Sequence, residues 1–248
     1  MDILQAFEER LQEIDAYLDL LDALERQVQQ GPPIIGGARI TSQQQKILYS
    51  SVYLQLYNLV EATATWCIEA VTNAAAAGAQ WRPADLTSKL RREWVRTTAR
   101  THVELNCDHR LNTTVDFCEV LLTAAPISQW AIEKSGGGNW DDYVIEDVTE
   151  RIGCDLDISS TVKTGVKRRI RDDKGSLGLV EYLRNRLAHG TLSFEECGDG
   201  VTVGDLKDIR QRTADYLREV IASFQTYIDE HLFIRPDRRP GPEIGAQI

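Results

Sequence analysis

The sequence predicts an all-α helical bundle with one small β-hairpin late in the chain. Three observations carry this. Apolar residues recur at helical spacing through long stretches near both ends of the 248-residue chain. The strongest early helix breakers, Gly31-Pro32-Pro33 and Gly36-Gly37, fall between such stretches. Strand-like segments flanking Gly198-Asp199-Gly200 are short enough for only a single hairpin.

Residues 2–30 read as one amphipathic helix, with Ile3, Phe7, Leu11, Ile14, Leu18, Leu21 and Leu24 on its apolar stripe. Thr41 or Ser42 can cap a second helix running to about Ala77. Its Ile47, Leu48, Val52, Leu54, Leu56, Leu59 and Val60 cover more than one side, which predicts a central position. Leu86 to about Leu105 predicts a third helix, studded with Lys89, Arg91, Arg92, Arg96 and Arg100. Short helices are expected at Val115–Leu122 and Asp141–Ile152. Leu177–Ala188 is a further helix, with Gly190 where a left-handed C-terminal cap would fall. The hairpin is expected at Leu192–Cys197 and Val201–Val203. The last long helix runs from Asp205 to about Leu232, with Leu206, Ile209, Tyr216, Leu217, Val220, Ile221, Phe224 and Ile228 inward. A single helical domain over 1–234 is expected, followed by a disordered tail over 235–248.

The formal net charge is −10, so global attraction to nucleic acid is not expected and any such contact must be local. The five cysteines, Cys67, Cys107, Cys118, Cys154 and Cys197, form no CxxC pair. This argues for reduced thiols rather than a disulfide framework or a structural zinc site. The N-terminus lacks the basic flank and apolar core of a signal peptide, and no apolar run reaches the length of a membrane span. A cytoplasmic location and no membrane association are therefore expected. The four histidines make no HxH or HExxH pattern, so neither a metal nor another cofactor is expected.

The segment Arg184-Asn185-Arg186-Leu187-Ala188-His189 carries the most chemistry. Asn185 and His189 are four apart and share a helix face, whereas Arg184 and His189 are separated by about 140° around the axis. Arg184 reaches the same region by the length of its side chain. The negative end of the helix dipole favours a protonated imidazole at His189, which suits acid–base work. The same residues would also serve a solvated helix end, with Arg184 pairing to Glu181 or to a C-terminal carbonyl.

An Arg-Asn pair followed by His-Gly near the end of a bundle helix resembles the HEPN superfamily. More narrowly, the hairpin expected over Thr191–Val203 and the long helix from Asp205 resemble the HEPN-like RNases associated with toxin–antitoxin and phage-defence systems. Ser135-Gly136-Gly137-Gly138-Asn139-Trp140 also looks like a loop of that branch. The similarity is close over residues 177–232 and looser over the rest of the bundle. It implies a metal-independent endoribonuclease in which the ribose 2′-OH attacks the adjacent phosphate. His189 would be the general base or acid, Arg184 would hold the phosphate, and Asn185 would orient the phosphate or the histidine. It further implies a homodimer whose two motifs form one composite site. RNA would be the substrate, and a cognate antitoxin or defence-system protein a possible partner. The rival reading is a non-catalytic module of the same type that binds nucleotide, RNA or a cognate protein.

Weaker candidates surround this motif. Asn58 and Glu61 on the second helix could support the arginine or histidine, or could be solvent-facing. Lys163, Lys167, Arg168, Arg169 and Arg171 place five positive charges within nine residues. That cluster, like the one on the third helix, could track an RNA backbone or form a solvated face or protein dock. His102 and His109 are expected at the surface or in packing, and His231 as a capping charge.

Overall fold

The computed structural model describes residues 2–28, 31–101, 103–133 and 139–240. Nine α-helices are present among them: α1 (Ile3–Val28), α2 (Ser42–Ala76), α3 (Ser88–Thr98), α4 (Cys107–Leu122), α5 (Asp142–Ile152), α6 (Ser160–Lys167), α7 (Ser176–Ala188), α8 (Phe194–Cys197) and α9 (Val203–Asp229). The strands described are β1 (Ile34–Ile35) and β2 (Ala38–Arg39), an antiparallel pair turning at Gly36-Gly37. The fold is all-α with one small hairpin, as the sequence predicts. The hairpin lies between α1 and α2, however, and not after α7.

Local chemistry explains that correction. Ser193 and Glu196 form a reciprocal capping box that starts α8 where a strand was expected. Thr202 and Asp205 make the same exchange at the head of α9. The Thr202 hydroxyl accepts from the Asp205 amide at 3.1 Å, and Asp205 accepts from the Thr202 amide at 3.0 Å. The second expected strand, Val201–Val203, is therefore consumed by a helix start. Gly198 serves close approach instead of a hairpin turn, because a Cβ there would sit 2.1 Å from the Lys46 carbonyl oxygen. Lys46 and Asp199 pair at 2.7 Å beside it.

The chain forms two compact units. The first comprises Met1–Ala64, Asn139–Val144 and Ile158–Ile221. Its core is built on α1, where Ile3, Phe7, Leu11, Ile14, Leu18, Leu21 and Leu24 are all buried. Against them in the same unit stand Val52, Tyr53, Leu56 and Tyr57 of α2, Leu179, Val180 and Leu183 of α7, and Leu206, Ile209 and Leu217 of α9. Burying such stripes is the main stabilising term. Ion pairs then fix the register of α1 on α9: Arg218 grips Glu8 at 2.7 and 3.1 Å, and Arg210 pairs with Asp15. The tyrosine ladder Tyr49, Tyr53 and Tyr57 is fully packed, whereas Ile47, expected inside, is exposed.

The second unit comprises Thr65–Gly138, Ile145–Asp157 and Ala222–Ile248. Here α3 is held by a buried ion pair. Glu93, 3% exposed, accepts from Arg151 of α5 at 2.5 and 3.3 Å. Asn106 caps α4, which begins eight residues earlier than expected. Tyr227 donates to the Ile152 carbonyl at 2.8 Å and is buried, whereas Ile228, expected inward, is only half-buried. His231 stands at the cap of α9 as expected, with φ +54° and its amide donating to the Ile228 carbonyl at 3.0 Å, and its ring also packs against Trp81 and Phe233. His109 lies in the first turn of α4 and is exposed, and His102 falls outside the described residues. A short 3-10 turn at Pro236–Arg238 occupies the start of the segment expected to be disordered. Residues 241–248 lie outside the described residues.

All five cysteines are free. Burial pushes the Cys67 and Cys154 thiols up to about 12, so neither supplies a thiolate at neutral pH. Among the described residues no helix is long and apolar enough to cross a membrane, and no group of three His, Cys, Asp or Glu could hold a metal ion.

Candidate functional site

The motif sits at the C-terminal end of α7. One side of that helix buries Ser176, Leu179, Val180, Leu183 and Leu187, which fixes the other side in place. Glu181, Arg184 and Asn185 form the half-buried flank of that other side, at positions three and four apart. The helix ends in a Schellman motif. The Gly190 amide donates to the Leu187 carbonyl at 3.2 Å, and the Thr191 amide donates to Arg186 at 3.0 Å. Gly190 adopts φ +67°, the left-handed conformation this cap needs. His189 is the C-cap residue itself, with its amide donating to the Asn185 carbonyl at 3.0 Å.

The two charged ends of the motif are treated differently. The Arg184 guanidinium lies 4.1 Å above the ring of the buried Tyr57. It also donates to the Asn185 side-chain oxygen at 2.8 Å, and the Asn185 amide donates onward to Glu181 at 2.5 Å. Arg184 is thus held by a π-face and by a relay of polar groups. His189 is exposed, and among the described residues its imidazole makes no hydrogen bond or ion pair. No hydrogen bond joins Arg184 to His189. The chain therefore presents a positioned cation and, five residues further on, an imidazole that is not hydrogen-bonded to it.

Titration reflects this crowding. Burial, then the Asp141 charge, raises the Glu181 carboxyl above its ordinary range, with Lys174 and Arg184 opposing. The Tyr57 phenol is raised by burial first and by Glu61 next, and its side chain hydrogen-bonds with the Trp140 backbone. Glu61 thus stands one helical turn from the ring that carries Arg184, close enough for its charge to act there. Asn58 is exposed and is joined to the motif by no hydrogen bond among the described residues. Of the glycine loop, Ser135–Gly138 lie outside the described residues; Trp140 is buried, and Asp141 accepts from the Val144 amide at the head of α5.

Sequence reasoning named Glu181 as a partner for Arg184 but missed Tyr57 and Asp141 as neighbours of the motif. Glu181 was within reach of the 181/184/185 spacing. The contribution of Tyr57 and Asp141 depends on tertiary packing that no spacing reports.

The five-residue basic cluster is largely neutralised from within the chain. Lys167 pairs with Asp142 at 3.8 Å and lies over the Tyr143 ring. Arg169 pairs with Asp173 at 3.1 Å. Arg171 contacts Asp172 at 3.6 Å and donates to the Cys197 carbonyl. Lys163 and Arg168 are exposed and make no ion pair among the described residues.

An all-α fold with Arg-Asn ending a buried helix and a free histidine on its cap defines a HEPN-type module. The chain belongs to the HEPN family: the model described as HEPN_MAE_28990-like HEPN matches it over residues 1–233. No curated protein and no solved structure matches it.

Proposed function

We propose that the protein is a metal-independent endoribonuclease acting as a bacterial toxin or phage-defence effector. The observation that carries this is the exposed, unbonded imidazole of His189 one residue past a helix that holds Arg184 rigidly. In the proposed reaction the 2′-oxygen bonds to phosphorus and the bond from phosphorus to the 5′-oxygen breaks. His189 takes the 2′-OH proton or returns one to the departing 5′-oxygen. Arg184 binds the phosphate and offsets its developing charge, and Asn185 orients the guanidinium it already accepts from. Two histidines, one from each copy of a homodimer, would supply the base and the acid. The products are a 2′,3′-cyclic phosphate and a 5′-hydroxyl.

The test is cleavage of end-labelled RNA by purified protein in EDTA. Cyclic-phosphate ends are expected, with a loss of about 10²–10⁴-fold in His189→Ala. Cleavage undiminished by that change would remove His189 from the mechanism.

The rival reading, a non-catalytic HEPN module binding nucleotide, RNA or a cognate antitoxin, draws on a specific contact. Arg184, the group that should meet a phosphate, is already engaged by Tyr57 and Asn185, with Glu181 close behind. Expression toxicity separates the two readings. A growth defect abolished by Arg184→Ala supports the enzyme; no defect and no cleavage across several RNAs supports the module.

A further inference from the structure

We propose that Arg186 holds the RNA phosphate on which His189 acts, on a face of α7 completed by Tyr182 and Lys174 and separate from the Arg184 contact with Tyr57. This phosphate site rests on the nuclease reading above.

The face follows from helical spacing. Tyr182, Arg186 and His189 are separated by four and three residues, which puts them within about 60° of arc around α7. Arg184 lies about 160° from Arg186 on the same helix and meets the Tyr57 ring instead. The imidazole therefore shares its stripe with the second arginine of the motif and not with the first.

Arg186 is placed by two neutral acceptors. Its guanidinium donates to the Tyr182 hydroxyl at 3.2 Å and to the Thr191 carbonyl at 3.3 Å. It is thus bracketed between α7 and the turn that follows His189. Lys174 joins it at the same ring, with its ammonium 5.0 Å from the Tyr182 centroid and the guanidinium 5.5 Å. Neither cation makes an ion pair among the described residues. Two acids feel these charges, and both are committed elsewhere. Glu196 accepts from the Ser193 amide and hydroxyl at 2.9 and 2.8 Å, and Glu181 accepts from Asn185. Both cations keep N–H groups for an external anion.

The arrangement selects a phosphodiester over an acidic protein. A proton-transferring imidazole beside a guanidinium fits a reacting phosphate, whereas a docked carboxylate has no use for one. The two cations also lie within 5.5 Å of one ring, a compact pair suited to a single anionic group rather than to an extended acidic chain. Because they occupy the Tyr182 ring, bases are not read by stacking on it. Binding of the phosphate then does not require Arg184 to leave Tyr57 and Asn185.

The experiment is fluorescence anisotropy of the full chain with a labelled 2′-O-methyl oligouridylate of about 12 nucleotides, which lacks the 2′-OH nucleophile and stays intact. Arg186→Gln should raise Kd about fivefold and lower the slope of log K against log salt by about 0.7, the share of one phosphate contact on a single strand. It should also lower kcat/KM for cleavage of ordinary RNA about 10²-fold. Arg186→Lys should keep the slope, and so should Tyr182→Phe, which removes the anchoring hydroxyl but no charge. Lys174→Gln should lower the slope by a similar amount without breaking a hydrogen bond of the fold, and it serves as the test if Arg186→Gln melts early. A slope unchanged in the Gln variants, or no salt-dependent binding by the parent, overturns the site. So does displacement of the oligonucleotide by polyglutamate at equal charge concentration, the mark of a dock for an acidic protein. Cleavage that persists unaltered in Arg186→Gln sinks the site and leaves the nuclease reading standing. The expected slopes without cleavage by the parent sink the nuclease reading and leave Arg186 and Lys174 as phosphate ligands.

Discussion

The Arg184 guanidinium rests 4.1 Å above the Tyr57 ring, joining the end of α7 to the buried face of α2. Cation–π contacts contribute roughly 0.5–2 kcal/mol, more when desolvated, and Tyr57 is completely buried. The contact also limits the positions open to Arg184. It is a structural reason for an arginine here, since a lysine would lack the planar group that stacks.

The ring, and not the hydroxyl, should therefore govern activity. Tyr57→Phe keeps the platform and loses only the hydrogen bond with the Trp140 backbone, worth about 1 kcal/mol. Tyr57→Leu removes the platform. RNA cleavage by the Phe variant is expected within a few-fold of the parent, and cleavage by the Leu variant about 5–30-fold lower. Equal losses in both would show that the hydroxyl matters more than the stack.

Gly190 sets where His189 points. Its φ of +67° is strained for any residue with a Cβ, although open space surrounds it. Gly190→Ala should lower stability by about 1–2 kcal/mol, or roughly 2–8 °C in melting temperature. Gly190→Asn should lose less, because asparagine tolerates this conformation. Thermal melts of the three proteins test the ordering; an alanine variant as stable as the parent would mean the cap is not held in the left-handed form.

How far the sequence revealed all this varied with the physics involved. The α1 stripe was legible residue by residue, because one helix packed on one face leaves a 3.6-residue signature. The α7 cap was legible too, because glycine at C′ has a single strong conformational reason. The segment 192–203 misled because its apolar residues alternate, while the decisive signals were two capping boxes, Ser193–Glu196 and Thr202–Asp205. The central helix α2 hid its tyrosine ladder behind a general excess of apolar residues. Glu61 was a candidate support from its place on the second helix, but the convergence of Tyr57 and Asp141 on the motif was not legible, since each is brought there by packing.

The support beneath the α3 arginines rests on Glu93. This carboxylate is buried, holds Arg151 in two hydrogen bonds and touches Arg96. Removing one partner of such a pair strands the other charge, at about 3–5 kcal/mol. Glu93→Ala should therefore lower the denaturant midpoint by far more than any surface change on α3, such as Arg92→Gln, which should alter stability by less than about 0.5 kcal/mol. Comparable midpoints for the two variants would contradict the buried assignment of Glu93.

Glu181 offers a pH test of the site. Burial and Asp141 raise its carboxyl above the ordinary range in the folded chain, against the pull of Lys174 and Arg184. Over the window between the unfolded and folded values, the native state binds more protons than the unfolded state. Stability contributed by this group therefore falls as pH rises through that window, and none of the difference remains below the unfolded value. Glu181→Gln removes the ionisation, keeps an oxygen to accept from Asn185, and presents an amide to Asp141. Its melting temperature should exceed the parent's by about 1–3 °C at pH 7. The gap should shrink toward zero as pH is lowered past the carboxylate range. Glutamine should also leave Asn185 in place, so cleavage should survive the change, whereas Glu181→Ala frees Asn185 and should reduce it. A gap that widens on acidification would reverse the sign and show that the ionised carboxylate stabilises the site.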